Sequence, residues 1–168
     1  MKTKKSFLAT NSFSEKVIKW YELHGRHDLQ WRKAITPYRI WISEIMLQQT
    51  QVVTVKPFFK KFIKKYPTLK SIQDASEDEI LTLWSGLGFY KRARNIFQTK
   101  EIIHSEYKGR FPKTFEEIIK LPGIGKSTAG AIMSIAHQIP TPILDGSFRD
   151  ISLMAKIFLA KKSYGIYL

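Results

Sequence analysis

The chain has 168 residues, with 28 Lys and Arg against 14 Asp and Glu for a net charge of +14, 43% hydrophobic and 13% aromatic residues, and no cysteine. That is enough chain for one domain with a hydrophobic core, it is too apolar for disorder, and no apolar run approaches a membrane span. The charge favours a polyanion partner, above all nucleic acid, over an anionic membrane surface, and the missing cysteines exclude disulfides, thiolate chemistry and cysteine-ligated metal clusters for this chain.

The N-terminal stretch MKTKKSFLAT has a basic start but too short an apolar stretch for a signal peptide, so a cytoplasmic protein is expected. SEKVIKWYELHG follows with Val17, Ile18 and Tyr21 at helical spacing and a stop at Gly25. GRHDLQWRKAITPYR reads as a loop with Pro37 closing it. IWISEIMLQQTQVVTV reads as one continuous helix. Its β-branched residues would also suit a strand, but its length and its Glu, Met, Leu and Gln content favour helix.

In VKPFFKKFIKKYPT, Val55, Phe58, Phe59, Phe62 and Ile63 fall on one helical face, and Lys56, Lys60, Lys61, Lys64 and Lys65 crowd the other. That basic face is either a solvated surface or a polyanion track. Ser76 and Glu79 form a capping box ahead of EILTLW, and Thr114 and Glu117 form another ahead of EIIK. Each capped helix runs into a Gly-x-Gly turn and then a basic helix start, as EILTLWSGLGFYKRARNI and as EIIKLPGIGKSTAGAI. No longer repeat, linker or low-complexity segment is present. Short connections between many helices predict a compact all-α domain.

The second of these turns, Leu121 to Gly125, is a helix-hairpin-helix pattern. Its glycines permit backbone with φ > 0 and keep side chains off the turn surface. The turn amides and the free N–H groups of the following helix start then make a concave donor surface with a helix dipole behind it. Such a surface suits a nucleic-acid phosphate and reads no sequence. Lys126 adds a charge at the rim. The plain alternative is an ordinary interhelical turn. GIGKST resembles the end of a Walker motif, but it lacks the first glycine at the right spacing and a preceding strand. His24, His27, His104 and His137 are scattered and offer no metal pattern.

WISEIMLQQTQV, LWSGLGFYKRARN, LPGIGKSTAGAI and PILDG occur in that order. Over residues 13–146 the chain resembles the adenine DNA glycosylase (MutY-type) branch of the helix-hairpin-helix glycosylases, which also includes endonuclease III. The resemblance implies an all-α glycosylase fold and a partner: double-stranded DNA holding adenine opposite 8-oxoguanine or guanine. It implies hydrolysis of the adenine N-glycosidic bond by a monomer associated with the nucleoid. The base must be flipped out, because the bond is inaccessible in the stack.

Two carboxylates divide the chemistry, as in glycoside hydrolysis. Glu44 matches the general acid that protonates the departing adenine. Asp145 matches the carboxylate that stabilises the sugar cation. On residues alone Glu44 is either a surface glutamate or a charge set in the apolar run Ile42 to Leu47, where burial would raise its pKa. Asp145-Gly146 alone reads as a turn.

Trp31, Arg32, Leu47 and Ser127 match residues of the adenine pocket, with Gln30 where the family has proline. Serine at 127, where bifunctional relatives carry a Schiff-base lysine, implies a glycosylase without a lyase step, and Lys126 is one residue off. Gln48, Gln49, Gly86, Gly88, Phe89, Leu121, Gly123, Gly125 and Lys126 match DNA-contacting positions. Gln49 would enter the base stack. Phe89, in a position usually held by tyrosine, would be either a wedge without the hydroxyl or a core residue.

After Gly146 the chain departs from the family. Residues 1–146 are expected to form the catalytic region. Residues 147–168, SFRDISLMAKIFLAKKSYGIYL, form a divergent tail, with Ser147 in place of a supporting Asn. A frameshift is the expected origin, and a cysteine-bearing continuation in the gene's alternative frame tests it. The half-domain with four cysteines for a [4Fe–4S] cluster, and the 8-oxoguanine-reading domain, are expected only in a full-length protein. This chain has no cysteine to bind that cofactor and no other metal site is expected. Three readings stay open at this point: a working glycosylase, a DNA-binding fragment without catalysis, and an unstable pseudogene product.

Overall fold

A computed structural model describes residues 11–143. In chain order it has α1 (Asn11–His24), α2 (Gln30–Lys33), α3 (Pro37–Leu47), α4 (Val52–Lys65), α5 (Leu69–Ile72), α6 (Glu77–Trp84), α7 (Lys91–Glu106), α8 (Phe115–Ile118) and α9 (Lys126–Ala131). α9 continues as a π-helical turn over Ile132–Ala136. No strand occurs among the described residues, so the all-α expectation holds. None of their helices is long and apolar enough to cross a membrane.

α3 is the central element. Pro37 stands at its N-terminus and the Thr36 hydroxyl accepts from Arg39 N–H, so it starts where the missing proline donor costs nothing. Tyr38, Ile40, Trp41, Ile42, Ser43, Ile45 and Met46 are all buried, which marks a helix surrounded by others. It packs against α4, α7, α9 and the π-helical turn. α4 supplies Val55, Phe59 and Phe62 to the core, while Lys60, Lys61, Lys64 and Lys65 stay exposed. Burial of each such Phe contributes about 1.5–3 kcal/mol.

Both predicted capping boxes form. Ser76 Oγ accepts from Glu79 N–H and the Glu79 carboxylate accepts from Ser76 N–H. Thr114 and Glu117 repeat the arrangement at α8, and Thr68 with Ser71 adds a third at α5.

Two local expectations are corrected. The stretch around Trp31 is not all loop: Gln30–Lys33 makes one helical turn that seats Trp31 in the core. The run Ile40 to Val55 is not one helix. It breaks between Leu47 and Val52, where Gln49 takes φ 55°. Periodicity could not show this break, because the carbonyls it frees are taken by a distant arginine.

Candidate nucleic-acid interface

Three loops carry Gln48, Gln49, Gly86, Gly88, Phe89, Leu121, Gly123 and Gly125. The first, Gln48 to Gln51, leaves the C-terminus of α3 and exposes Gln49. The second, Ser85 to Tyr90, joins α6 to α7. Its Gly86, Gly88 and Phe89 have φ of 95°, 77° and 50°. Leu87 points into the core, and the Trp84 indole N–H donates to the Gly88 carbonyl at 3.0 Å, so the turn is tied down from inside. Phe89 is 58% exposed, which makes it a surface projection and not a core residue.

The third loop is the hairpin between α8 and α9. Leu121 and Ile124 are buried and anchor it, with Ile124 N–H donating to the Leu121 carbonyl at 3.1 Å. Gly123 has φ 76°, and a Cβ there would meet Asn95 Nδ2 at 2.5 Å. Gly125 behaves otherwise than expected: its φ is −90°, which any residue adopts. A Cβ at Gly125 would meet nothing within 4 Å, so this glycine only leaves the surface open. Lys126 begins α9 and is exposed, and Ser127 is half-buried beside it. The first N–H groups of α9 have no carbonyl one turn back within the helix, so they are available to an outside acceptor.

Two side chains join the three loops. Gln48 Nε2 donates to the Gly123 carbonyl at 3.0 Å and lies 3.4 Å from Thr128 Oγ1. Arg92, on the first turn of α7, is 6% exposed. Its Nη1 donates to the carbonyls of Ile45, Met46 and Gln48 at 3.2, 2.8 and 2.5 Å. Its Nη2 donates to the Gly88 carbonyl at 3.1 Å. Burial holds the Arg92 guanidinium pKa below the usual arginine value. Between the loops lies an open cavity of about 460 Å³ lined by Gln48, Gln49, Phe89, Lys91, Arg92 and Asn95.

Glu44 is half-buried on α3, one turn before Gln48, between residues that are fully buried on either side. Leu47 is half-buried and packs on the core. Trp31 is 4% exposed and meets Phe59 edge-on at 5.3 Å, so it is a core residue behind the surface. Arg32 turns toward α1: it donates to the Tyr21 hydroxyl and lies over the Tyr21 ring at 5.9 Å. The structure therefore gathers Gln48, Gln49, Gly88, Phe89 and Gly123 around linked loops, and seats Trp31 in the core against Phe59. Asp145 lies outside the described residues. Just before it, Pro142 and Ile143 cross α9 at Gly130, where a Cβ would meet the Pro142 carbonyl at 2.6 Å.

Sequence reading missed Arg92 and Asn95. The signal was present for Arg92, which shares a helical stripe with Ile96, Thr99 and Ile103, all buried, while Lys91 and Arg94 are exposed.

The residues present do not fit an iron–sulfur cluster. The sequence has no cysteine, and no grouping of His, Cys, Asp or Glu among the described residues could hold a metal ion.

Comparison with known proteins follows the same lines. The chain is 51% identical over 139 residues to the adenine DNA glycosylase of Buchnera aphidicola subsp. Schizaphis graminum, covering 83% of this chain and 40% of that protein. It thus spans well under half the length of that curated relative. Its fold is similar to a thermostable thymine-DNA glycosylase, with TM-score 0.74, 29% identity, and coverage of 81% of this chain and 63% of that one. It also shares the fold of a trapped endonuclease III–DNA covalent intermediate, with TM-score 0.70, 23% identity, and coverage of 96% and 78%. The family described as HhH-GPD superfamily base excision DNA repair protein matches residues 42–165, and the chain belongs to that family.

Proposed function

We propose that this chain performs base-excision repair chemistry on duplex DNA: it extrudes an adenine paired with 8-oxoguanine or guanine and hydrolyses its N-glycosidic bond, with no lyase step. The observation that carries this reading is the joined three-loop surface, with a half-buried carboxylate one turn behind it. The similarity to the Buchnera adenine DNA glycosylase over the same stretch supports adenine as the base.

The hairpin amides and Lys126 hold a phosphate, while Gln49 and Phe89 enter the stack and occupy the space the adenine leaves. Glu44 gives its proton to N7 of the extruded adenine. The C1′–N9 bond then breaks with its electron pair going to the base. The Asp145 carboxylate stabilises the resulting oxocarbenium sugar, and water adds at C1′ with its proton passing to a carboxylate. Ser127 offers no amine to attack C1′, so the sugar stays attached to both phosphates.

Single-turnover adenine release from duplexes with adenine opposite 8-oxoguanine, guanine and thymine tests the reading. Release from the first two and not the third is expected. A folded preparation that binds duplex DNA and releases adenine from none of them overturns it, and leaves a DNA-binding fragment without catalysis.

A further inference from the structure

We propose that Arg92 is a positioning residue, which fixes the separation and orientation of Gln49 and Phe89 and so controls base extrusion. The inference rests on the glycosylase reading for its consequence, but its geometric part stands alone.

A buried guanidinium is costly unless it is paired and fully hydrogen-bonded. Arg92 is paired with no carboxylate among the described residues, and its Nε is buried without a partner. Its four acceptors are all backbone carbonyls, three at the end of α3 and one at Gly88. Each of the two loops so held presents a non-glycine residue in the left-handed region, Gln49 at φ 55° and Phe89 at φ 50°. Such conformations persist only where the surroundings over-determine them. Arg92 supplies that constraint for both at once. Its guanidinium carbon also sits 5.2 Å from the centre of the Phe89 ring and 5.4 Å from that of Trp84, supporting the exposed Phe89 from below. Lysine cannot substitute, because a compact ammonium lacks the planar fork that reaches both loops.

The test uses the full chain and its Arg92→Lys and Arg92→Met variants, with three readouts. Affinity for undamaged duplex comes from phosphate contacts and is expected to stay within about threefold in both variants. Extrusion is read by fluorescence of 2-aminopurine placed at the adenine position. Its rate is expected to fall about a hundredfold in Arg92→Met and to recover only in part in Arg92→Lys. Because the sequence has no cysteine, Gln51→Cys and Tyr90→Cys give two unique sites for spin labels. Their distance distribution is expected to be narrow in the parent and broad in Arg92→Lys, which keeps the charge and tests the idea if Arg92→Met does not fold.

A narrow, unchanged distribution in Arg92→Lys, or equal losses of undamaged-duplex affinity and extrusion, overturns the proposal. If the parent binds duplex without extruding 2-aminopurine, the glycosylase reading fails instead, and the distance distributions still decide what Arg92 holds.

Discussion

Gln48 and Gly123 stand 75 residues apart in the chain and meet through a single hydrogen bond, Gln48 Nε2 to the Gly123 carbonyl at 3.0 Å. The bond locks the hairpin to the loop that carries Gln49. Removing the amide by Gln48→Ala is expected to cost about 1 kcal/mol, read as a lower melting temperature. Gln48→Leu should cost about the same, since Gly123 is exposed and water can take the place of the lost donor.

The two hairpin glycines make opposite predictions. Gly123→Ala places a Cβ against Asn95 in a backbone with φ 76°, and is expected to destabilise by about 1–3 kcal/mol. Gly125→Ala has an ordinary φ of −90° and open space, so stability should stay within about 0.5 kcal/mol. Its methyl group stands on the donor surface, so duplex affinity should fall. Thermal melts and a DNA titration of both variants separate the two effects.

Lys126 is exposed at the start of α9, next to the hairpin amides. Lys126→Ala is expected to weaken binding to damaged and undamaged duplexes alike. It should also reduce the slope of log K against log salt by about 1, measured by titration at four salt concentrations.

Acid stability follows from the capping boxes. The Ser76 N–H, then Lys65, hold the Glu79 carboxyl below the usual 4.5, and the Thr114 hydroxyl does the same for Glu117. The folded pKa lies below the unfolded one, so the contribution is present above about pH 4.5 and disappears as pH falls through the folded value. The double variant Glu79→Gln, Glu117→Gln is expected to have a flatter fall of melting temperature between about pH 5 and pH 3 than the parent.

The sequence made the helical elements legible where the decisive forces are local. Ser76 with Glu79 and Thr114 with Glu117 announced two helix starts, and the alternation of Phe and Lys in α4 announced its buried face. It was silent where partners are distant in the chain. The break after Leu47 depends on Arg92, more than forty residues away, taking the freed carbonyls. The different needs of Gly123 and Gly125 depend on Asn95 packing under one and not the other. Trp31 matches a pocket position by motif, and the helical turn that seats it on Phe59 is not visible in the pattern around it. The joined loops could be expected from motif order, but the two side chains that join them could not.

On the proposed reading, Glu44, half-buried one turn behind the joined loops, drives adenine loss. Its most direct test is single-turnover release of adenine from an adenine·8-oxoguanine duplex by the parent and by Glu44→Gln, with equal duplex affinity confirmed for both. Release by the parent and a loss of at least about a hundredfold in the variant is the predicted result. Equal release by both, or none by a folded parent that binds the duplex, would contradict it.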